Sequence, residues 1–503
     1  MSGAKRADYR QFSAVSAGVK RLLLLCQFDR WQKTWRLPDL AVHREYQSIF
    51  PADSPALAII LAKGSADFLD ASAGDAEPVK AATRIGIRQL MFRSSRSTKQ
   101  PKEIMKTSIR LKPAKIAVFG LTALAAGRAL ATDGYFDYGY GIQAKGVGGA
   151  GVAFPQDSLA PAANPAGVAF LDNRLDVGLA YFQPDRSASL GPNNYDGNGK
   201  EQFYLPEIGF KHSLTTDYDF GLAVYGNGGM NTDYRNIPAF GSTHTGVDLS
   251  QLFIAPTLTY KLAENHAIGI APIIAYQRFK AYGLENFGIT YHDYDNSYGG
   301  GVRLGYTGKL TDWLTVGVTY QSEIFTTRFK DYDHLFAEQG AFDIPSNFAV
   351  GLAVKPVKQV TFALDVEEIL YSEINSVGDK LSSPSQLANL GQNNGPGFGW
   401  RDVTAIKTGI AYDATEQLTL RLGYNYSTQP IPGDQTTFNI LAPGVVQHHV
   451  TAGATWRFNQ HWEVTAFYAH AFKQEVNGDG SFSGAANLSM SQDTFGLAAG
   501  WIL

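Results

Sequence analysis

Apolar residues alternate with polar or small ones along most of the chain after residue 173. Residues 418–426 do so without a miss. Leu418, Leu420, Leu422, Tyr424 and Tyr426 share one face, and Thr419, Arg421, Gly423 and Asn425 the other. The pattern recurs through Leu314, Val316, Val318 and Tyr320, and through Phe362, Leu364 and Val366 opposite Thr361, Ala363 and Asp365. A period of two with one apolar face suits a strand that has hydrocarbon on one side and a polar interior on the other. Fourteen strands are predicted, at 174–188, 203–215, 218–230, 249–262, 266–282, 297–309, 313–329, 344–355, 359–372, 402–413, 417–429, 447–458, 461–474 and 489–503. No stretch after Thr132 approaches the roughly 18 consecutive apolar residues of a membrane-spanning helix.

The predicted connections alternate between short and long. Short ones fall at 217–219, 263–265, 310–312, 356–358, 414–416 and 459–460. Long ones fall at 189–202, 231–248, 283–296, 330–343, 373–401, 430–446 and 475–488. This two-sided asymmetry is that of an outer-membrane barrel, with tight periplasmic turns and longer outside loops. Tyr260, Trp313, Tyr320, Trp456, Phe458, Trp462 and Trp501 sit near strand ends, where aromatic girdles meet the membrane interfaces. In lipid every backbone N–H and C=O needs an internal partner, so such strands must close on themselves. The fold class expected is all-β, a fourteen-stranded antiparallel transmembrane β-barrel.

Eight strands are filled by their own side chains, whereas about 16 leave an aqueous channel. A fourteen-stranded lumen therefore needs a filler, and the block at 139–167, GYGIQAKGVGGAGVAFPQDSLAPAANPAG, is suited to that place. It is too rich in Gly and Ala for a stable helix and too poor in large side chains for a core of its own. We read 132–172 as an N-terminal lumenal plug, or hatch, whose Gly146, Gly148, Gly149 and Gly151 allow close fitting and movement. Asn164-Pro165-Ala166 forms its hinge or anchor, because proline fixes its own φ and keeps the preceding residue out of the helical region.

The formal charge of −3 conceals a strong asymmetry. Residues 132–503 hold 21 Lys+Arg and 36 Asp+Glu, a net charge of −15, which excludes the basic footprint that nucleic acid requires. The one cysteine is Cys26, so no disulfide and no cysteine-based metal site is possible after residue 131. Residues 105–131 read as a signal peptide. Met105 precedes basic Lys106, Arg110, Lys112 and Lys115, an apolar run spans 116–126, and Ala129-Leu130-Ala131 is a small-residue cleavage pattern. A signal peptide works at an N-terminus, so residues 1–104 are expected to be a non-native upstream extension and 173–503 the barrel.

No catalytic residue, metal site or cofactor is expected. His448 and His449 are adjacent on a strand and point to opposite faces, so they cannot chelate one metal together. A membrane-embedded lipid hydrolase would need a pair such as His470 and Ser427, which no motif fixes. An acid ligand in an apolar lumen needs a cationic or hydrogen-bonding partner. The inward candidates by strand parity are Arg303, Lys407 and Arg421, with pairing to lumenal carboxylates such as Asp365 and Glu367 the competing role. Val147, Val152, Phe154, Leu159 and Val168 of the plug are candidates for apolar lining.

These residues together resemble the FadL/TodX family of outer-membrane transporters. The most specific part is GYGIQAKGVGGAGVA followed by Asn164-Pro165-Ala166, supported by VTYQSEIFTTRFKDY (318–332), FDIPSNFAVGLA (342–353) and LRLGYNYSTQPIP (420–432). The resemblance implies passive passage of long-chain fatty acids or other hydrophobic compounds across the bacterial outer membrane. Aromatic or alkane hydrocarbons are the alternative cargo, and an open general porin the rival mechanism. The implied partners are the hydrophobic ligand, outer-membrane lipid and the barrel-assembly machinery, with a monomer expected. It also implies a lateral opening at an inward kink in the third strand. Tyr225-Gly226-Asn227-Gly228-Gly229-Met230 has the composition for such a kink, or for a strand that ends there. Two features depart from the family: the predicted loops at 283–296 and 330–343 are short for an external capture groove, and the chain ends in Leu503 rather than Phe.

Overall fold

The computed structural model describes residues 133–241 and 244–503. The signal-peptide and upstream-extension expectations lie outside the described residues. Fourteen strands form the wall: β1 (Arg174–Leu190), β2 (Phe203–Ser213), β3 (Tyr218–Tyr234), β4 (Thr245–Ala263), β5 (His266–Tyr282), β6 (Asp295–Thr311), β7 (Leu314–Gln321), β8 (Asn347–Val357), β9 (Val360–Ile369), β10 (Val403–Asp413), β11 (Leu418–Ser427), β12 (His448–Arg457), β13 (Trp462–Val476) and β14 (Ala486–Ile502). Each pairs antiparallel with its sequence neighbours, and β14 returns to β1, pairing from Arg174↔Ile502 to Leu190↔Ala486. Two short pieces, Asn193–Asp196 and Phe325–Thr326, pair with β1 and β6 and lie outside the ring.

The alternation becomes the two faces of the wall. Leu420, Leu422, Val350, Leu364 and Ile274 are exposed on the outside, whereas Arg421, Asp365 and Lys407 are buried. Trp313, Trp456, Phe458, Trp462 and Trp501 stay exposed beside the short turns, with Trp462 and Trp501 stacked 5.8 Å apart across β13 and β14. Tyr276 and Tyr298 form a similar pair toward the other rim, 5.3 Å apart.

One boundary moved in a way that matters. The predicted seventh strand to 329 stops at Gln321, and residues 322–346 turn into the barrel mouth instead. Their alternating apolar residues bury Phe329, Tyr332, Phe336 and Phe342 against Phe279 and each other rather than against lipid. The loop after the seventh strand is therefore longer than the sequence suggested, and the short-loop departure at 330–343 falls away.

The plug occupies the lumen. Between 133 and 171 nearly every residue is buried, in a path with one short helix, Ile142–Lys145, and two 3₁₀ turns, Ala160–Ala162 and Pro165–Phe170. Above it the outer loops supply Tyr371, Trp400 and Phe342, which surround Tyr135 at ring distances of 5.0–6.0 Å.

Candidate functional site

The wall is fitted to the plug by glycine. A Cβ on Gly305 would collide with the Asn164 amide oxygen, on Gly269 with the Pro165 backbone, on Gly317 with the Val152 carbonyl, and on Gly423 with the Gly148 nitrogen. Any larger residue at these inward positions would push the plug away. The sequence displayed these glycines on the small faces of its strands, but alternation alone gives no reason to distinguish them from other small residues.

Polar anchors complete the fit. Plug amides that have no helix or strand partner are taken by wall carboxylates: Glu207 accepts from Gly141 and Ile142 at 3.2 and 2.8 Å, and Asp365 from Gly151 and Val152 at 2.7 and 2.9 Å. Asp176 accepts from the amide and hydroxyl of Ser158 at 2.9 and 2.5 Å. Such charge-assisted bonds are stronger than neutral ones, and they satisfy backbone groups that water cannot reach.

Asn164 is fully buried and saturated. Its oxygen accepts from the Ala166 amide at 3.0 Å, capping the turn that Pro165 begins. Its Nδ2 donates to the Val152 carbonyl at 2.8 Å, and to the Tyr306 carbonyl and Thr307 hydroxyl at 3.0 Å. Thr259 donates to the Pro165 carbonyl at 2.7 Å. The motif thus ties two plug segments to β6 and β4.

The three cationic candidates all point inward, with different partners. Lys407 binds Glu367 at 2.6 Å and Asp133 at 3.2 Å. Arg421 donates to Gln156, Gln143 and Thr455 at 2.6–2.7 Å. Both are engaged in holding the plug. Arg303 bonds Gln321 at 2.5 Å and has the buried Tyr225 hydroxyl beside it, while its Nε and Nη1 make no other hydrogen bond of good geometry among the described residues. The Gln321 Nε2 and Asn347 Nδ2 are likewise unpartnered. The register places these three residues side by side, Arg303 opposite Gln321 and Gln321 opposite Asn347. Sequence reading missed Gln321 and Asn347; their inward parity beside Arg303 was the available signal.

Arg303 and Asn347 line a gap against the plug, with Tyr140, Val152, Asp365 and Glu367. Its volume is about 20 Å³, room for a water and no more. Of the five apolar candidates, Val152 reaches this gap, and Leu159 joins the main apolar cluster with Tyr225 and Phe253. Val147 packs toward Gly409 and Val168 toward Gly221, so both fill the plug–wall seam, while Phe154 is only half-buried.

The third strand neither ends at its glycines nor runs straight. It continues to Tyr234, but its register against β4 shifts between Gly226 and Gly228, and from Asn227 to Thr232 every residue is buried. The bulged stretch turns into the lumen and meets the plug. Asp137 donates to the Asn227 carbonyl and Gly229 to the Tyr135 carbonyl, both at 3.0 Å, and Tyr140 donates to Asn227 Oδ1 at 2.9 Å. A Cβ on Gly228 would strike the Tyr135 carbonyl oxygen.

The kink unzips the wall on its other side. Pairing between β2 and β3 runs from Ser213↔Asp219 only as far as Ile208↔Val224. It resumes at a single bridge, Asn198↔Asp233, made by the loop that precedes β2. Between these points 203–207 pair with β1 alone. On the lumen side the window adjoins an apolar cluster of Tyr138, Ile142, Phe182, Phe203 and Leu205.

Ser427 faces inward and fully buried, whereas His470 faces outward beside Asp493, at 2.9 Å. The wall separates the two residues that a hydrolase would have to bring together. His448 and His449 also lie on opposite faces, His449 stacked on Tyr138 and His448 against Tyr424.

A closed barrel with a lumenal plug and an interrupted seam defines an outer-membrane channel of the hatch-bearing kind. The chain belongs to the family described as outer membrane protein transport protein (OMPP1/FadL/TodX), which matches residues 121–493. It is therefore an outer-membrane transport protein, of a family of transporters rather than enzymes. A long-chain fatty acid transport protein of Salmonella typhi is 22% identical over 362 residues, covering 62% of this chain and 82% of the relative. Among solved structures, the P. putida toluene transporter TodX aligns with a TM-score of 0.56 at 17% identity, covering 73% of this chain and 99% of that one. A Pseudomonas aeruginosa FadL homologue aligns with a TM-score of 0.55 at 18% identity, covering 73% and 99%.

Proposed function

We propose that this protein carries hydrophobic monocarboxylic acids, of the long-chain fatty acid class, passively across the outer membrane and releases them sideways through the wall between β2 and β3. The observation that carries this reading is a plugged lumen beside an unpaired seam: the axial route is filled, and the wall lacks its strand ladder where a buried apolar cluster adjoins it. An apolar solute gains nothing from an aqueous pore and loses nothing by entering lipid directly. The solute enters from outside, displaces the aromatic packing beneath the outer loops, and moves to the window as the plug shifts. No covalent chemistry takes part.

Arg303, Gln321 and Asn347 favour an acid over a hydrocarbon. Together they present under-bonded donors in a gap that holds a water while the plug is seated, and a carboxylate reaching them as the plug shifts would satisfy several at once. The similarity to a toluene transporter keeps monoaromatic hydrocarbons as the second reading. Binding of oleate and of toluene to the purified protein, with and without Arg303→Met, separates them. Loss of oleate affinity with toluene unchanged supports the acid; equal affinities in both proteins favour the hydrocarbon.

The mature chain is proposed to begin near Thr132. Supporting this, Asp133 is fully buried within reach of Lys407. Mass spectrometry of the outer-membrane form tests it, and a peptide from residues 1–104 would overturn it. The protein is proposed to act as a monomer inserted by the barrel-assembly machinery, without cofactor or metal.

A further inference from the structure

We propose that Arg186 is the latch of the side window, a positioning residue that sets how far the seam between β2 and β3 can open; this rests on the lateral-exit reading above. Arg186 projects inward from β1 and is 1% exposed. Its Nη1 donates to the Asn231 carbonyl on the kinked stretch of β3, a short bond, and lies 3.3 Å from the Asn231 side-chain oxygen. Its Nη2 donates to the Lys200 carbonyl, on the loop leading into β2, at 2.5 Å. One guanidinium therefore spans the two lips of the window at its outer end.

The need for it follows from the missing sheet. Where β3 has left β2, its carbonyls on that edge have lost their strand partners, and in a membrane wall such groups must be satisfied from within. Only arginine offers a fork of donors wide enough for two carbonyls from different segments. The face of Phe203, at the rim of the window, lies 5.9 Å from the guanidinium and supports it. Beyond it the same two segments are joined again through backbone, which marks the outer limit of the window. Gly197 and Gly199 pair with Asp233, and Lys200 binds Asp248 of β4 at 2.6 Å. The loop is laddered to β1 from Ser187↔Asp196 to Leu190↔Asn193, and the Arg186 backbone bonds Gly197 and Asn198, so the loop stays on β1 while the Arg186 side chain forms the inner link between it and β3. Release of Arg186 lengthens the window outward without touching the plug anchors, which lie on other residues.

The test is uptake of radiolabelled oleate by cells carrying the full chain. Arg186→Ala should raise initial uptake about tenfold if one strong bridge limits opening, with ion conductance still at the wild-type level because the plug is untouched. Arg186→Lys, which keeps the charge but cannot reach both carbonyls, should fall between. Adding the pair Asn198→Cys and Asp233→Cys to Arg186→Ala should return uptake to the wild-type rate when oxidised and release it when reduced. Uptake by the folded Arg186→Ala or Arg186→Lys protein at or below wild type, or an oxidised pair without effect, overturns the latch. Blocking the rim at Leu205 with a bulky thiol reagent on Leu205→Cys tests the window separately. If that block stops uptake while Arg186→Ala changes nothing, the latch fails and the side exit stands; if the block changes nothing, the side exit fails.

Discussion

Two seams in this wall invite comparison. Where the chain closes on itself, β1 and β14 pair in register along their whole length, from Arg174↔Ile502 to Leu190↔Ala486. Where β2 and β3 follow each other through a tight turn, pairing ends at Ile208↔Val224. Chain connectivity would favour the opposite result, because the entropic cost of bringing strands together grows with the loop between them. The long-range seam is whole and the local one is interrupted, so the interruption is not a defect of closure. It is built by a bulge at Gly226–Gly228, braced by the plug backbone on one side and bridged by Arg186 on the other.

The sharpest way to break the contrast is to remove what braces the interrupted seam. Deleting residues 132–172 should leave the β1–β14 seam intact and raise single-channel conductance in planar bilayers from near zero to that of an open porin. Unchanged conductance would show that the lumen is closed by the loops alone.

Asn164→Ala should loosen the plug without removing it. The carbonyls of Val152 and Tyr306 lose a donor, at a cost of about 1–3 kcal/mol for an unsatisfied buried group. We expect intermittent conductance openings with the heat-dependent gel shift of the folded barrel unchanged; a lowered barrel melting temperature with a quiet channel would place the motif in the wall's stability instead.

Arg303→Met should weaken oleate binding by about tenfold, the scale of one hydrogen bond to a charged group, measured by calorimetry against toluene as the neutral control. Gly228→Ala acts on the plug directly, on the same scale as Asn164→Ala. Its methyl meets the Tyr135 carbonyl, and the overpacking should cost about 1–3 kcal/mol, read as earlier loss of the plug in thermal unfolding. A larger side chain here, such as tryptophan, would displace the plug rather than fill the window.

Much of the wall was legible because a strand in lipid has a strict period of two and each strand is long enough to show it. The plug was legible for the opposite reason: a run of Gly and Ala has no period and no bulk, and needs a container. The outer loops were harder. Glu323-Ile324-Phe325-Thr326 through Phe329 alternates like a strand, and Phe325–Thr326 does pair with β6, but Ile324 and Phe329 are drawn inward by the lumen's demand for apolar filling. Tyr225 to Met230 was ambiguous, since glycine-rich stretches serve turns and bulges alike and the choice depends on plug contacts distant in sequence. Arg303, Lys407 and Arg421 share inward parity, but which of them keeps open donors depends on where the plug's own Gln143, Gln156 and Asp133 fall. Local pattern places side chains on faces; it does not count their partners.

The interrupted seam is the proposed exit for cargo. The most direct measurement is oleate uptake by cells carrying Leu205→Cys, before and after modification by a bulky methanethiosulfonate reagent, with labelling followed by mass. Leu205 stands on the unpaired edge of β2 beside Phe203 and Phe182. With a side exit there, uptake falls to background on labelling, with conductance unchanged, and returns on reduction. Undiminished uptake by the fully labelled protein would contradict it.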